Sequence, residues 1–177
     1  IGLVHLQQFN FERSIAVLRP LAEDMKLTSV YNALGAIVVQ ASRAEKKNPA
    51  RAAGLLNEGV ELLKKAAEAA TDDGNVKFNY GVSLYLSGNL KDAANQFRSA
   101  LVSKPRGGEA YYILSKTLGE LKESTAGDMD NQARRYLTNN NRFATLETEW
   151  AKSRSITGIP LRVEQPSRKD FVAVILS

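Results

Sequence analysis

Apolar and polar residues alternate along most of this chain with the period of amphipathic helices. The clearest stretch is 74–107, in which two such segments flank a break at Gly88 and Asn89. Within each segment the apolar residues recur three and four positions apart, so they share one face of a helix. Pro105 follows the second segment as a stop signal. The pattern predicts a helical hairpin.

The residues on the facing sides of this hairpin alternate between small and large. In order, the pattern runs Gly81, Leu84, Gly88, Ala93, Phe97, Ala100, Pro105. Glycine and alanine let two helices approach closely, and the larger side chains fill the remaining space. This order resembles the tetratricopeptide signature, a helix–turn–helix unit that repeats about every 34 residues. One departure is Lys77, which stands where the family usually has an aromatic or aliphatic side chain.

The resemblance implies further copies of the unit on both sides of 74–107. Gly35 and Ser115 stand at the position that Gly81 occupies, and Asn48 with Pro49 marks a helix start inside a longer copy. We therefore expect an all-α fold, a helical-hairpin solenoid wound as a right-handed superhelix. The expected parts are a partial repeat at 1–27, a long repeat at 28–73, the best match at 74–107, a divergent repeat at 108–140, a capping helix at 141–156 and an extended tail at 157–177.

The resemblance also implies a function, because first helices in this family line a concave groove where partner peptides usually dock. The matching residues here are Asn32, Ala36, Val39, Phe78, Val82, Tyr85, Tyr112 and Lys116. Some members clamp a carboxylate tail with lysine and asparagine at such positions. Only Asn32 and Lys116 fit that clamp, so we expect a mostly apolar extended or helical peptide as the ligand.

The tail leaves two interpretations open. Its apolar segment 171–176 either packs on the repeats, over the capping helix or in the groove, or pairs as a strand with a partner or a second copy of the chain. Asn141 is the expected N-cap of the capping helix.

Candidate chemistry is sparse. The chain has no cysteine and one histidine, His5, so we expect no metal site, no cofactor and no catalytic centre. Phosphate-binding loops and dinucleotide fingerprints are also absent from the sequence. The sequence predicts a protein-interaction scaffold rather than an enzyme.

Charge supports one alternative weakly. The net charge is +5, and residues 74–122 carry seven basic and three acidic side chains, an excess of four. An RNA-binding helical repeat is thus a second hypothesis, although nucleic acid is the less favoured partner. A third is an accessory domain of a larger enzyme or envelope protein. No apolar run reaches the roughly 20 residues of a membrane helix. Because the chain begins at Ile1, we expect sequence upstream, and cytoplasm and periplasm both stay open.

Overall fold

The structure is a computed structural model that describes residues 11–154, 156 and 158–163. All regular elements of this part are helical. The eight α-helices are α1 Phe11–Met25, α2 Thr28–Ala44, α3 Pro49–Ala69, α4 Gly74–Leu86, α5 Leu90–Ser103, α6 Gly108–Glu120, α7 Ala126–Tyr136 and α8 Arg142–Ser153, with a 3₁₀ turn at Asn139–Asn141 before the last.

Short polar side chains fix where two of these helices begin. Asn48 Oδ1 accepts from the backbone N–H of Arg51 at 3.0 Å, and Pro49 opens α3 as the sequence predicts. Asp73 caps α4, where its carboxylate accepts two free N–H groups at 2.8 and 3.2 Å. Asn141 stands at the N-cap position of α8, as predicted, but it does not cap that helix with its side chain. That residue is left-handed, with φ of 53°, and its side chain accepts no cap hydrogen bond.

The described residues form two compact units, 11–71 with 162–163 and 72–161. In the first unit, α2 packs against both α1 and α3. In the second unit, α4 pairs with α5, α5 contacts α6, and α6 pairs with α7. Successive helices thus pack as hairpins within each unit.

The hairpin of α2 and α3 is the long one, as the sequence predicts. These helices have 17 and 21 residues, against 13 and 14 for α4 and α5. Glycines bring α2 and α3 together: a Cβ placed on Gly35 would lie 2.7 Å from Leu63 Cγ, and one on Gly59 would lie 2.5 Å from Val39 Cγ2. Both distances are below any normal carbon contact, so side chains at these two positions would force the helices apart.

The hairpin of α4 and α5 uses the same device. A Cβ on Gly81 would lie 2.6 Å from the ring of Phe97, which is fully buried. The Phe97 ring also packs on Phe78, with 6.0 Å between ring centroids. The small and large residues that carry the family signature therefore form the seam between these helices.

Two predictions lie outside the described residues: His5 and the tail segment 171–176. Within the described part, no helix is both long and apolar enough to cross a membrane.

Candidate partner-binding surface

Three of the predicted groove residues lie on α2, in the first unit, and all three are buried. Ala36 and Val39 are 0% exposed and Asn32 is 7% exposed. Val39 faces Gly59 of α3, so it belongs to the seam of its own hairpin. The Asn32 amide Nδ2 donates to the backbone carbonyl of Arg162 at 3.2 Å. Asn32 therefore contacts main chain, although that main chain is the protein's own.

In the second unit, three more predicted groove residues are buried: Phe78, Val82 and Tyr112. Phe78 packs on Phe97 inside its hairpin. Tyr112 is covered by α8, where the ring of Phe143 meets it edge-on with 5.8 Å between centroids. The exposure that a partner contact needs is therefore absent at these positions. The local hydrophobic periodicity could not predict this burial, because later segments of the chain cover part of these side chains.

Tyr85 and Lys116 stay at the surface edge of the second unit. The Tyr85 hydroxyl donates to Glu120 Oε1 at 2.5 Å, which links α4 to α6. Burial, together with the nearby Glu120 carboxylate, raises the pKa of Tyr85 above its usual range. This phenol therefore stays protonated and keeps its role as a donor.

Lys116 is the centre of a charged cluster. Its Nζ lies 2.5 Å from Glu147 Oε1 on α8 and 3.6 Å from Asp130 Oδ1 on α7. It also lies 4.8 Å from the ring centroid of Tyr112 and 5.9 Å from that of Trp150. Two carboxylates and two aromatic faces thus hold the ammonium group in place. Its charge is already balanced within the protein.

The ionisation of this cluster follows from its packing. Burial by itself would raise the pKa of Glu147, but contacts with Lys116 and Tyr112 outweigh it and lower the pKa below the usual value. Burial, followed by the Glu147 carboxylate, raises the pKa of Tyr112. At neutral pH the cluster therefore contains an ionised Glu147 and a neutral Tyr112.

An open cleft of 520 Å³ lies beside this cluster, between α6, α7 and α8. Its lining combines small residues, both signs of charge and one large aromatic ring. The lining residues are Ser115, Lys116, Gly119, Glu120, Ala126, Gly127, Asp130, Trp150 and Arg154. The Arg154 guanidinium lies 6.0 Å from the centroid of the Trp150 ring, and Arg154 itself is exposed. One wall of the cleft is thus an aromatic ring next to a cation.

Comparison with known proteins gives the fold a name. The sequence matches no family model and has no significant match among curated proteins. Solved structures do match. MamA aligns with a TM-score of 0.69 and 16% identity, over 86% of this chain and 84% of MamA. YrrB, described as "a TPR protein with an unusual peptide-binding site", aligns with a TM-score of 0.68 and 17% identity, over 83% of this chain and 71% of YrrB.

This chain has the tetratricopeptide-repeat fold. A third solved structure, MamA 41-end from Desulfovibrio magneticus RS-1, agrees, with a TM-score of 0.66 and 11% identity over 79% of this chain and 73% of its own. The all-α helical-hairpin solenoid that the sequence predicts is therefore confirmed. At these identities the likeness shows the tetratricopeptide fold and carries no residue of a binding site.

The groove positions that the tetratricopeptide resemblance implies include only one residue of the cleft lining, Lys116. Trp150 and Arg154 lie in the range predicted as the capping helix and Asp130 in the divergent repeat, and none of the three is among the predicted groove residues. The sequence does contain a signal for them, since Phe143, Leu146 and Trp150 form one apolar stripe of a helix, and such a stripe packs against another part of the protein.

Among the described residues of the tetratricopeptide fold, no three His, Cys, Asp or Glu side chains cluster closely enough to hold a metal ion.

Proposed function

We propose that this protein is a non-enzymatic scaffold that binds a segment of another protein, and that the segment docks in the cleft between α6, α7 and α8. The observation that carries the proposal is the placement of Trp150. It lies in an open cleft beside Lys116, a residue that the family resemblance assigns to partner binding. Tryptophan is the side chain most often found at the energetic centre of protein interfaces.

The chemistry of the cleft favours a mainly apolar segment over an acidic tail. Glu147 and Asp130 already neutralise Lys116, so an incoming carboxylate would have to displace one of them. The Trp150 ring instead offers a flat apolar surface with a polar N–H edge. A ligand segment that places an aliphatic or aromatic side chain on that ring and a polar residue near Arg154 would contact the groups that line the cleft.

The structure does not favour nucleic acid. That alternative rests on the basic excess of residues 74–122, which includes Lys77, Lys91, Lys104 and Lys116. Lys104 Nζ donates to Asn75 Oδ1 at 2.7 Å, and Lys116 is held by two carboxylates. The Asn75 amide is neutral and leaves the charge of Lys104 in place, but the two carboxylates neutralise Lys116, which weakens the field that a phosphate backbone would follow.

The test uses peptides selected from a random display library against the full chain. Affinities of the best peptides are then measured by fluorescence polarisation for the unaltered protein, Trp150→Ala, Trp150→Phe and Val102→Ala. Val102 lies outside the cleft and is 82% exposed, so it is the matched control. We expect Trp150→Ala to weaken binding about tenfold or more, with Trp150→Phe in between and Val102→Ala unchanged.

Circular dichroism checks that each variant is folded. If Trp150→Ala and Val102→Ala bind every selected peptide as well as the unaltered protein does, the cleft is not the binding site.

A further inference from the structure

Two of the four charged side chains that line the cleft between α6, α7 and α8 are neutralised by the protein itself. These two are Lys116 and Asp130, which lie 3.6 Å apart. Each has a second partner of opposite charge as well. Glu147 lies 2.5 Å from the lysine, and Arg134 lies 2.9 Å from the aspartate. A ligand therefore gains little from a charged group placed at either of them.

Glu120, the third charged residue of the lining, keeps its negative charge. The Tyr85 hydroxyl donates to Glu120 Oε1 at 2.5 Å, and a neutral donor orients a carboxylate without cancelling its charge. Among the residues that the structure describes, no cation lies within ion-pair distance of Glu120, and its second oxygen, Oε2, accepts no hydrogen bond. Glu120 ends α6 and is exposed. The cleft thus has an oriented carboxylate with one oxygen open to a ligand.

Arg154, the fourth, keeps its positive charge on another wall of the cleft. It stands four residues after Trp150, and its guanidinium lies 6.0 Å from the centroid of that ring. The face of an aromatic ring attracts a cation but leaves its charge in place. In the described part of the chain, no carboxylate pairs with Arg154, and the residue is exposed. Glu120 and Arg154 are not paired with each other.

These two charges restrict which ligands the cleft accepts. A wholly apolar ligand would remove water from a carboxylate and from a guanidinium without replacing the lost hydrogen bonds, and this costs free energy. A ligand with a basic group at Glu120 and an acidic group at Arg154 replaces them. Such complementarity contributes more to specificity than to affinity. Because the charges lie on different walls, a ligand that enters in the reverse direction meets like charges at both.

We propose that Glu120 and Arg154 determine which segments bind in the cleft. The ligand carries one basic side chain that pairs with Glu120 and one acidic side chain that pairs with Arg154, in addition to the apolar side chain on the ring of Trp150. Tyr85 is a positioning residue, because its hydroxyl orients the carboxylate. The proposal rests on the proposed function, since it assigns a specificity to the same cleft.

The experiment selects peptides from a random display library against the full chain and against two variants with reversed charge. Peptides selected by the unaltered protein should share one basic, one acidic and one apolar residue. Glu120→Lys should select peptides in which an acidic residue replaces the basic one, and Arg154→Glu should select peptides in which a basic residue replaces the acidic one. In fluorescence polarisation, each peptide should bind its own form of the protein about tenfold or more tightly than the reversed form.

Two controls change the net charge by the same amounts outside the cleft. They are Glu61→Lys and Lys91→Glu, at exposed residues that do not line it. Both should select peptides with the same charge pattern as the unaltered protein does. The positioning residue is tested separately: Tyr85→Phe should reduce the preference for a basic over a neutral residue in the peptide and leave the preference for the acidic residue unchanged.

Circular dichroism checks the fold of each variant. If a reversed variant is poorly folded, Glu120→Gln and Arg154→Gln replace it, since glutamine removes the charge, and at position 120 it keeps an acceptor for the Tyr85 hydroxyl. Each should weaken binding of the peptides selected by the unaltered protein about two- to fivefold. The loss should shrink as salt is added, because salt screens exposed charges.

The proposal is overturned if the reversed variants select the same charges as the unaltered protein does, or if the glutamine variants bind the peptides unchanged. Trp150→Ala separates this outcome from failure of the proposed function. If it weakens binding while variants at Glu120 and Arg154 do not, the cleft is the site and only the specificity assigned to it is wrong. If Trp150→Ala leaves binding unchanged, the cleft is not the site and both proposals fail.

Discussion

The contact between α2 and α3 provides a sharp test of the packing, because two glycines of α3 differ in what surrounds them. Gly54 has no atom within 4 Å of the position that a Cβ would take, whereas at Gly59 that position is 2.5 Å from Val39 Cγ2. Both residues lie inside the 21-residue helix. Gly54→Ala and Gly59→Ala therefore change helix propensity by the same amount. They differ only in whether the new Cβ meets Val39.

The magnitudes follow from these two effects. Replacing glycine by alanine inside a helix stabilises it by about 1 kcal/mol. Overpacking a close contact costs about 1–3 kcal/mol. We expect Gly54→Ala to raise the free energy of unfolding by about 1 kcal/mol, and Gly59→Ala to leave it unchanged or lower it by up to about 2 kcal/mol. For a chain of this length, each kcal/mol shifts Tm by about 2–4 °C.

The assay is thermal and urea unfolding followed by far-UV circular dichroism. A third variant identifies the clashing partner: Val39→Ala combined with Gly59→Ala should be more stable than the sum of the single effects, with a coupling of about 0.5–3 kcal/mol. If Gly59→Ala stabilises the protein as much as Gly54→Ala does, the close seam is refuted. If the coupling is zero, Val39 is not the residue that the new Cβ at position 59 contacts. Val39 would then again be a candidate for the predicted groove.

Three further predictions concern the second unit. Phe97→Ala should lower the free energy of unfolding by about 3–5 kcal/mol in urea titrations, since the ring is fully buried in the seam; a loss below about 1 kcal/mol would contradict this burial. The lowered pKa of Glu147 contributes stability that is present above the unfolded pKa of about 4.3 and is lost as pH falls through the lower folded value. Glu147→Gln should therefore flatten the acid side of the Tm–pH curve, and an unchanged slope would exclude this carboxylate as the cause. The raised pKa values of Tyr85 and Tyr112 predict that these two tyrosines stay protonated above pH of about 10 until the protein unfolds, which phenolate absorbance measures; ionisation of all six tyrosines of the chain before unfolding would contradict it.

The seams of the hairpins could be predicted from the sequence, because they depend on residues close together in the chain. Gly81 and Phe97 are 16 positions apart, and the spacing of small and large residues places them on facing sides of two helices. The longer hairpin was predictable for the same reason: Asn48 and Pro49 mark its second start.

The exposure of the groove residues could not be predicted in this way. The repeat register predicts which face of a helix points away from its own hairpin. It does not predict whether a later segment of the chain packs on that face and buries it. Tyr112 is covered by Phe143 of α8, and Asn32 is occupied by Arg162, 130 positions later. Such contacts leave no mark in a local pattern. The cleft at Trp150 was missed for the same reason, since its walls come from three helices.

Trp150 itself offers the most direct measurement, because it is the only tryptophan of the chain and it lines the cleft. A peptide selected by display is titrated into the unaltered protein while the tryptophan emission is recorded, and the same peptide is titrated into Val102→Ala as a control. Docking in the cleft predicts a saturable change in emission, with a blue shift as the ring loses water, at the dissociation constant found by polarisation. Tight binding with no change in Trp150 emission would place the partner elsewhere and contradict the proposed site.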